Sequence, residues 1–304
     1  MKRETPIART LVTAGLPLLV LAVVLTDRVF FAEAADGAGT EANTKVVLAS
    51  EVEWTPLNPA RGDSSPQAGT LWGDRAGSPQ TGFLVKFADG FSSPPHIHNV
   101  TYRGVVISGQ IHNDDPDAEP MWMPSGSFWT QPAGEVHITA AKGEMNMAYI
   151  EIEHGPYLVW PPEKASDNGE RPINVHESNL VWLDAASTTW IEGSEGASAA
   201  GGAKIAFLWG KPESGETNGT LLKLSAGFSG EIRSNGAALK AVVIKGQAVV
   251  RGSGAGESKT LDPGSYFSSE GTASHQIQLN DKQESILYLR AEGRFKVVSV
   301  AATE

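Results

Sequence analysis

The feature that most constrains the fold of this chain is an internal repeat. Several segments of the first half recur in the second half at one constant offset of 137 residues, without a gap. Chance does not preserve a single offset over about forty residues, so the chain is predicted to contain two copies of one structural unit. The matching pairs are Leu71-Trp72-Gly73 with Leu208-Trp209-Gly210, Gly90-Phe91-Ser92 with Gly227-Phe228-Ser229, and Val105-Val106-Ile107 with Val242-Val243-Ile244.

The repeat also predicts where the chain divides. After one inserted residue the match resumes, with Gly126-Ser127 aligned with Gly264-Ser265 and His137 with His275. The two copies would meet in the segment around Pro161 to Pro172, which is rich in proline, glycine and asparagine. The predicted divisions are a signal peptide over residues 1–35, a linker over 36–45, a first domain over 46–160, a second linker over 161–175 and a second domain over 176–304.

Each copy is predicted to be built from β-strands. The 33 glycines and 18 prolines interrupt the backbone more often than a helix bundle tolerates. Short β-branched or aromatic runs lie between turn residues, and no convincing amphipathic helix is present. The predicted fold class is therefore all-β, with two tandem jelly-roll barrels that arose by duplication. The clearest predicted strands are Phe83–Phe87, Tyr102–Ile107, Met147–Glu153, Leu221–Leu224, Ala241–Ile244 and Ile286–Leu289.

The N-terminal segment has the pattern of a secretory signal peptide. Basic residues precede an apolar run from Leu11 to Leu25, and the small-residue stretch Ala32-Glu33-Ala34-Ala35 follows it. At about 1.5 Å per residue the run reaches roughly 22 Å, which is short of the ~30 Å hydrocarbon core of a membrane. Cleavage after Ala34 or Ala35 would leave no permanent membrane span, and the predicted location is the periplasm or the exterior of the cell. An uncleaved anchor is the alternative.

Charge and cysteine content exclude several functions. The formal net charge of −11 would repel phosphate backbones, and no local basic patch offsets it, so no nucleic-acid partner is expected. The absence of cysteine excludes disulfides, thiol nucleophiles and zinc-thiolate sites. A small-molecule substrate is the expected partner, and the sequence leaves a homo-oligomer open.

Three histidines of the first copy have a spacing suited to one metal ion. His96 and His98 are two residues apart after Pro94-Pro95, so on an extended strand both imidazoles project from the same face. His137 follows the tight turn Pro132-Ala133-Gly134, which returns the next strand to the same wall.

Around these histidines the sequence resembles the cupin superfamily, whose β-barrels usually hold a divalent metal ion. The resemblance covers residues 70–154, and the second copy shares it through the repeat. The whole chain is thus similar to a bicupin, and specifically to uncharacterised exported bacterial cupin-like proteins. The stretches that carry the resemblance are Gly90-x5-His96-x-His98-x3-Tyr102-x6-Gly109 and Gly126-x5-Pro132-x-Gly134-x2-His137.

The resemblance implies that His96, His98 and His137 are ligands of a divalent ion, which could be Fe, Zn, Mn, Ni or Cu. Many cupins have a glutamate ligand where this chain has Tyr102, so the usual carboxylate is absent. Three neutral imidazoles leave the ion dipositive, with about three coordination positions for water, substrate or dioxygen.

Some cupins with three histidine ligands are iron oxygenases. The resemblance therefore first suggests a metal-dependent oxidoreductase of the dioxygenase type that acts on a small organic molecule. Metal-dependent isomerase, lyase or hydrolase chemistry is an alternative, and so is a non-catalytic small-molecule-binding or sensory cupin. Outside the cytoplasm, three imidazoles favour copper or zinc over ferrous iron by intrinsic affinity, which weakens the iron interpretation.

Tyr102 and Asn113 are further candidates for the site. Tyr102 could ligate the ion or donate its phenolic proton during catalysis, and the alternative is a packed barrel tyrosine. If Ser108-Gly109 forms a two-residue hairpin turn, Gly104 pairs with Asn113, which then points inward with Tyr102 as a cofactor-binding residue. The same hairpin would point His112 outward, so His112 is not predicted to be a ligand.

Glu135 is a second candidate for a catalytic role. It lies two residues before His137 and shares its face if the strand has already begun there. Its carboxylate could act as a base or a fourth ligand, and the alternative is a solvated turn residue. By the same alternation Arg103 faces away from Tyr102, as a salt-bridge partner.

The second copy is predicted to have lost the site. One imidazole alone does not hold a metal ion tightly, so this half is expected to be a structural partner of the first. His154 and His176 are expected to be surface residues, and one or two of Met121, Trp122, Met123 and Trp129 could line the barrel mouth. The second copy has Arg233, Asn235 and Leu239 at the positions of His96, His98 and Tyr102, and retains only His275.

Overall fold

The computed structural model describes residues 44–193, 202–211, 215–234, 238–252 and 256–300. The predicted signal peptide and most of the linker that follows it lie outside these residues. None of the helices in the described ranges is long and apolar enough to cross a membrane. They are four 3₁₀ helices, at Ala49–Glu51, Pro59–Ser64, Pro162–Lys164 and Glu177–Asn179.

The first half of the chain forms short strands and two long ones. All three strands predicted for this half are present, although Glu153 lies just beyond its strand. The strands are β1 Lys45–Val47, β2 Thr55–Pro56, β3 Gln67–Trp72, β4 Thr81–Phe87, β5 Ile97–His98, β6 Tyr102–Asp114, β7 Met123–Pro124, β8 Phe128–Gln131, β9 Ile138–Ile152 and β10 Val159–Trp160, and they are followed by β11 Ile173–Val175, which begins the second half.

The second half is also built from strands, and the three predicted there are present as well. The long strands of the first half correspond here to separate shorter ones. The strands are β12 Ile191–Gly193, β13 Ala203–Gly210, β14 Thr217–Leu224, β15 Ser229–Ser234, β16 Leu239–Lys245, β17 Ala248–Arg251, β18 Lys259–Leu261, β19 Tyr266–Ser269, β20 Ala273–Gln278, β21 Ser285–Glu292 and β22 Phe295–Ser299.

The strand order is repeated between the two halves. One sheet runs β11-β8-β6-β9-β4-β3-β2, with β7 paired to β6, and another runs β1-β19-β16-β21-β14-β13. The order β8-β6-β9-β4-β3 thus recurs as β19-β16-β21-β14-β13, as a duplication predicts. The second half has a further sheet, β12-β22-β15-β20-β17-β18, and the first half a short one, β10-β5. The all-β architecture expected from the sequence is confirmed.

The first strand of each half, β1 or β11, pairs with a strand of the other half. β1 pairs with β19 of the second half, and β11 pairs with β8 of the first. The residues that follow make equivalent hydrogen bonds: Ala49 N donates to Ser265 Oγ at 3.0 Å, and Glu177 N to Ser127 Oγ at 3.1 Å. The strand pairings therefore cross the boundaries predicted from the sequence, because β11 lies within the predicted linker 161–175 but belongs to a first-half sheet.

The apolar core of the described residues consists of three clusters. One lies inside the first barrel around Phe83, Val106 and Trp129, and one inside the second half around Leu222 and Leu287. The third contains residues of both halves and joins their large sheets; its members include Leu84, Tyr149, Leu221, Tyr266 and Tyr288. The two halves thus share one continuous packed interface, while each keeps its own interior.

Candidate metal centre

The three predicted histidines converge in the first half. His98 lies on β5, and His96 and His137 face each other as a β-bridge in which each main-chain N–H donates to the other's carbonyl at 3.0 Å. One ring nitrogen from each histidine lies within 4.8 Å of the others. His98 and His137 are buried, and His96 is half-buried. The expectation that these three side chains meet is confirmed.

The second ring nitrogen of each histidine is engaged by the main chain. Nδ1 of His96 lies 2.9 Å from the carbonyl oxygen of Pro94. Nδ1 of His98 lies 3.1 Å from the carbonyl oxygen of Leu158, and Nδ1 of His137 lies 3.1 Å from that of Glu135. A carbonyl only accepts, so Nδ1 carries the proton and the lone pair is on Nε2 in all three rings. Fixing the tautomer in this way is how proteins prepare imidazoles for a metal, and this donor set fits a divalent ion.

Burial keeps these imidazoles neutral. It is the main cause that lowers the pKa of His137 to about 3, while the carbonyl of Glu135 acts in the opposite direction. Burial, and then the nearby His137 and His96, hold the pKa of His98 well below its ordinary value. Burial also lowers the pKa of His96, and the charge of Arg61 lowers it further. At neutral pH the rings therefore offer lone pairs without first losing a proton.

Tyr102 is part of a buried hydrogen-bond network beside the histidines. Its hydroxyl lies 3.3 Å from Nε2 of His137 and donates to Asn113 Oδ1 at 2.9 Å. Asn113 also accepts from Thr139 and donates to Gln131, so its amide is held on both sides. Asn113 therefore orients Tyr102, and its role in binding a cofactor stays a prediction. Burial raises the pKa of Tyr102, so its phenol keeps its proton at neutral pH.

The predicted hairpin at Ser108-Gly109 is wrong. β6 is one continuous strand, and Gly104 pairs with Trp129 and Ile150 and not with Asn113. The register against β9 shifts on both sides of Ser108, where Gly109 has φ +72° and a Cβ would clash with Asn146. In a regular strand Tyr102 and Asn113 would face opposite sides, because their separation is odd. The irregularity reverses the alternation, which is why Asn113 still joins Tyr102.

Glu135 contributes its carbonyl and not its carboxylate. The residue lies in the turn that ends before the His137 bridge, so the strand alternation used in its prediction has not begun. Among the described residues, the metal-ligating group contains the three histidines alone. Glu135 is half-buried, and its main-chain carbonyl, 3.1 Å from His137 Nδ1, is the part of the residue that contacts the histidines.

Tyr157 belongs to the site and was missed by the sequence analysis. Its ring stacks on His98 at 4.3 Å with 14° between the planes, and its hydroxyl lies 3.1 Å from Nε2 of His98. The next residue, Leu158, supplies the carbonyl that holds His98 Nδ1. Both residues lie in an irregular segment about sixty positions after His98, outside the two motifs, and no local signal marks them.

The other predicted residues lie mostly as expected. Arg103 pairs with Glu153 at 2.6 Å, and Trp129 lines the cavity beside the histidines. His154 is exposed and His176 caps a 3₁₀ helix. His112 is not directed to solvent: it is buried beside Trp122, and neither ring nitrogen has a hydrogen-bond partner in the described structure.

A cavity of about 150 Å³ that is open to solvent leads to the histidines. Besides His96, His98 and Tyr102, its walls are formed by Leu57, Asn58, Arg61, Pro66, Val85, Phe87, Phe91, Ser93, Pro94, Trp129, Thr139, Ile150, Tyr157 and Val159.

The second copy has no equivalent group of ligands among the described residues. Arg233 lies on β15 and Leu239 on β16, while Asn235 falls outside the described residues. The remaining histidine, His275, is buried next to Phe267, and its Nε2 lies 2.9 Å from Ser269 Oγ. This half therefore packs a histidine where the first half has a ligand.

His275 should give the protein a pH dependence of stability that is independent of metal. Burial lowers its pKa to about 4 in the folded protein, against about 6.5 in the unfolded chain. Between these values the unfolded chain binds more protons, so the free energy of unfolding falls as the pH falls. We expect His275 to account for a loss of about 2 kcal/mol between pH 7.5 and pH 5. Urea denaturation of the native chain and of His275→Gln at both pH values measures this, and equal losses in the two would contradict it.

The comparisons with known proteins agree with this architecture. A protein-family model described as "Domain of unknown function (DUF4437)" matches residues 45–298. No curated protein matches the sequence. Among solved structures, the chain is similar to a Nostoc punctiforme protein provisionally assigned as a dioxygenase, at 14% identity and a TM-score of 0.60, covering 86% of this chain and 87% of that one.

Two further solved structures are similar over most of their length. Oxalate decarboxylase of Lactobacillus farciminis is 11% identical with a TM-score of 0.55, covering 86% of this chain and 90% of that one. Salicylate 1,2-dioxygenase of Pseudoaminobacter salicylatoxidans, a mutant in complex with gentisate, is 13% identical with a TM-score of 0.52, covering 86% and 87%. At such identities the likeness shows a common fold.

Proposed function

The chain belongs to the DUF4437 family, a cupin-like family of unknown function, and we propose that it is an exported metalloenzyme that oxidises a small organic molecule with dioxygen. In this proposal a divalent ion is held by His96, His98 and His137. A redox-active ion would supply electron transfer to dioxygen at this site. Iron, copper and manganese fit that chemistry, and zinc would not.

The single observation that carries the proposal is the arrangement of the three imidazoles. Each ring has Nδ1 tied to a carbonyl, so that three Nε2 atoms remain for one ion. No carboxylate of the described residues joins this group. A neutral set of three ligands leaves the ion its full charge and open positions on one side, which suits a site where substrate and dioxygen both bind.

Two tyrosines and the cavity walls favour a catalytic role for the metal site over a role in metal storage. The hydroxyls of Tyr102 and Tyr157 lie 3.3 Å and 3.1 Å from Nε2 of His137 and His98. Tyr157 could donate its proton to an oxygen atom of a bound substrate when an ion occupies His98 Nε2, whereas Tyr102 donates to Asn113 and can only accept. The largely apolar walls offer water few hydrogen-bond partners, so a bound apolar substrate would displace it readily from beside the histidines. Structures that share this fold include a dioxygenase and a decarboxylase, and their chemistry is consistent with the proposal.

Export is part of the proposal and rests on the N-terminal pattern of residues 1–35. N-terminal sequencing of the protein recovered from the periplasm or medium tests it. The function itself is tested by elemental analysis of that protein together with oxygen consumption on candidate small molecules such as diketones and thiols. A stoichiometric redox-active metal with oxygen uptake supports the oxygenase. Tightly held zinc without turnover would overturn it and favour a binding or sensory role.

Metal removal should lower the thermal stability of the protein. A ligand that binds only the folded state stabilises it by RT ln(1 + [L]/Kd), about 4 kcal/mol at a thousandfold excess over Kd, so we expect the melting temperature to fall by roughly 10 °C on chelation. Differential scanning calorimetry before and after dialysis against a chelator measures the change, with metal loss confirmed. The variant His137→Ala serves as control and should show no fall. An unchanged melt in the native chain would mean that the ion is not coupled to folding.

A further inference from the structure

We propose that the cavity above the histidines selects a compact organic anion with an apolar body, and that Arg61 binds its carboxylate. This inference rests on the proposed function in taking this cavity as the place of the substrate. It names the substrate class and assigns a specificity-determining residue outside the three-histidine group.

The walls of the cavity exclude highly polar ligands. The aromatic side chains Phe87, Phe91 and Trp129 line it together with aliphatic residues such as Val85 and Ile150. Such a surface gains free energy by covering apolar carbon, and flat rings pack well against aromatic walls. A sugar or another polyhydroxylated ligand would lose more hydrogen bonds to water than the few polar lining residues, such as Asn58 and Ser93, could replace.

The charge of the cavity lining then determines whether a cation or an anion binds. Arg61, on the 3₁₀ helix Pro59–Ser64, is the charged side chain of the cavity lining, and no aspartate or glutamate lines it. Within the described residues Arg61 forms no ion pair, and its guanidinium lies over the ring of Phe91, 5.6 Å from the centroid. The histidines are neutral, so they do not offset the positive charge of the Arg61 guanidinium. A cationic ligand would be repelled, and an anion would find a partner able to form paired hydrogen bonds.

The test compares benzoate with its neutral counterpart benzamide, which has nearly the same shape. Binding is measured by isothermal titration calorimetry to the zinc-loaded protein and, separately, to the metal-free protein. The variants are Arg61→Gln and Arg61→Lys. The matched control is Arg75→Gln, because Arg75 also lies over a phenylalanine ring, at 5.7 Å from Phe83, but does not line the cavity.

We expect the native chain to bind benzoate at least tenfold more tightly than benzamide. Arg61→Gln should reduce this preference to threefold or less, Arg61→Lys should keep part of it, and Arg75→Gln should keep all of it. Equal binding of the two probes, absence of binding of both, or an unchanged preference in Arg61→Gln would each overturn the inference. If the metal-free protein still prefers benzoate, and elemental analysis of the protein recovered from the periplasm or medium finds no stoichiometric metal, the proposed function is overturned and the anion site stands.

Discussion

Replacing His98 by alanine is expected to weaken metal binding by at least about a hundredfold and to abolish metal-dependent turnover. His98 is buried, and Leu158 orients its ring through Nδ1, so no other side chain can take its place without moving the β5-β10 pair. Even the loss of a group that only orients a ligand costs about 10–100-fold in metal affinity, and the loss of the ligand itself costs more. Two imidazoles would remain, which do not hold a divalent ion against competing water.

Elemental analysis after dialysis and a competition titration with a chromophoric chelator measure this effect. The matched control is His154→Ala, which removes an exposed imidazole outside the metal-ligating group. His98→Gln tests whether loss of packing explains the result, because glutamine fills most of the space. Circular dichroism confirms that each variant is folded. Stoichiometric metal in folded His98→Ala, at native affinity, would show that the ion is held elsewhere.

The second large effect concerns the interface between the two halves. We expect Glu151→Gln to lower the free energy of unfolding by about 3–5 kcal/mol. Glu151 Oε1 lies 2.9 Å from Arg290 Nη1, and the two side chains are 1% and 6% exposed. Tyr149 also donates to this carboxylate at 3.2 Å. Without the negative charge, the guanidinium stays buried and uncompensated.

The surroundings of Arg290 show why it depends on its partner. Burial by itself would lower the pKa of Arg290, but the charge of Glu151, with smaller contributions from Tyr288 and Tyr149, raises it instead. The guanidinium also lies over the rings of Trp72 and Trp209, at 5.9 and 5.2 Å. These contacts hold the side chain in place, so it cannot swing out to water when the carboxylate is lost.

Equilibrium urea denaturation measures the loss. The matched control is Glu153→Gln, which breaks the pair with Arg103; since the Glu153 side chain is 42% exposed, the expected cost is below about 1 kcal/mol. The double variant Glu151→Leu with Arg290→Leu should recover much of the stability, because removing both charges avoids the desolvation penalty. If Glu151→Gln and Glu153→Gln lower the free energy of unfolding by similar amounts, burial of the Glu151–Arg290 pair does not increase its contribution to stability.

The metal centre shows which features of a site can be inferred from the local sequence and which cannot. His96 and His98 share a face because side chains alternate along an extended backbone, and this rule needs no knowledge of the rest of the chain. The same rule failed for Glu135, where the backbone is still turning, and would have failed for Asn113, where the register of β6 shifts. The turn at Glu135 is local, whereas the deviation at Asn113 depends on how β6 and β9 pair over many residues, which no short window of sequence contains.

The sequence by itself determined the duplicated all-β organisation and the three histidines, since repeat, turn residues and two-residue spacing are local properties. Tertiary structure alone decided what surrounds them. It brought Tyr157 and the Leu158 carbonyl onto His98, exchanged β1 and β11 between the halves, and placed Arg61 and Trp129 in one cavity wall. These contacts join residues far apart in the chain, so they depend on the packing of whole sheets and leave no periodic signal in the sequence.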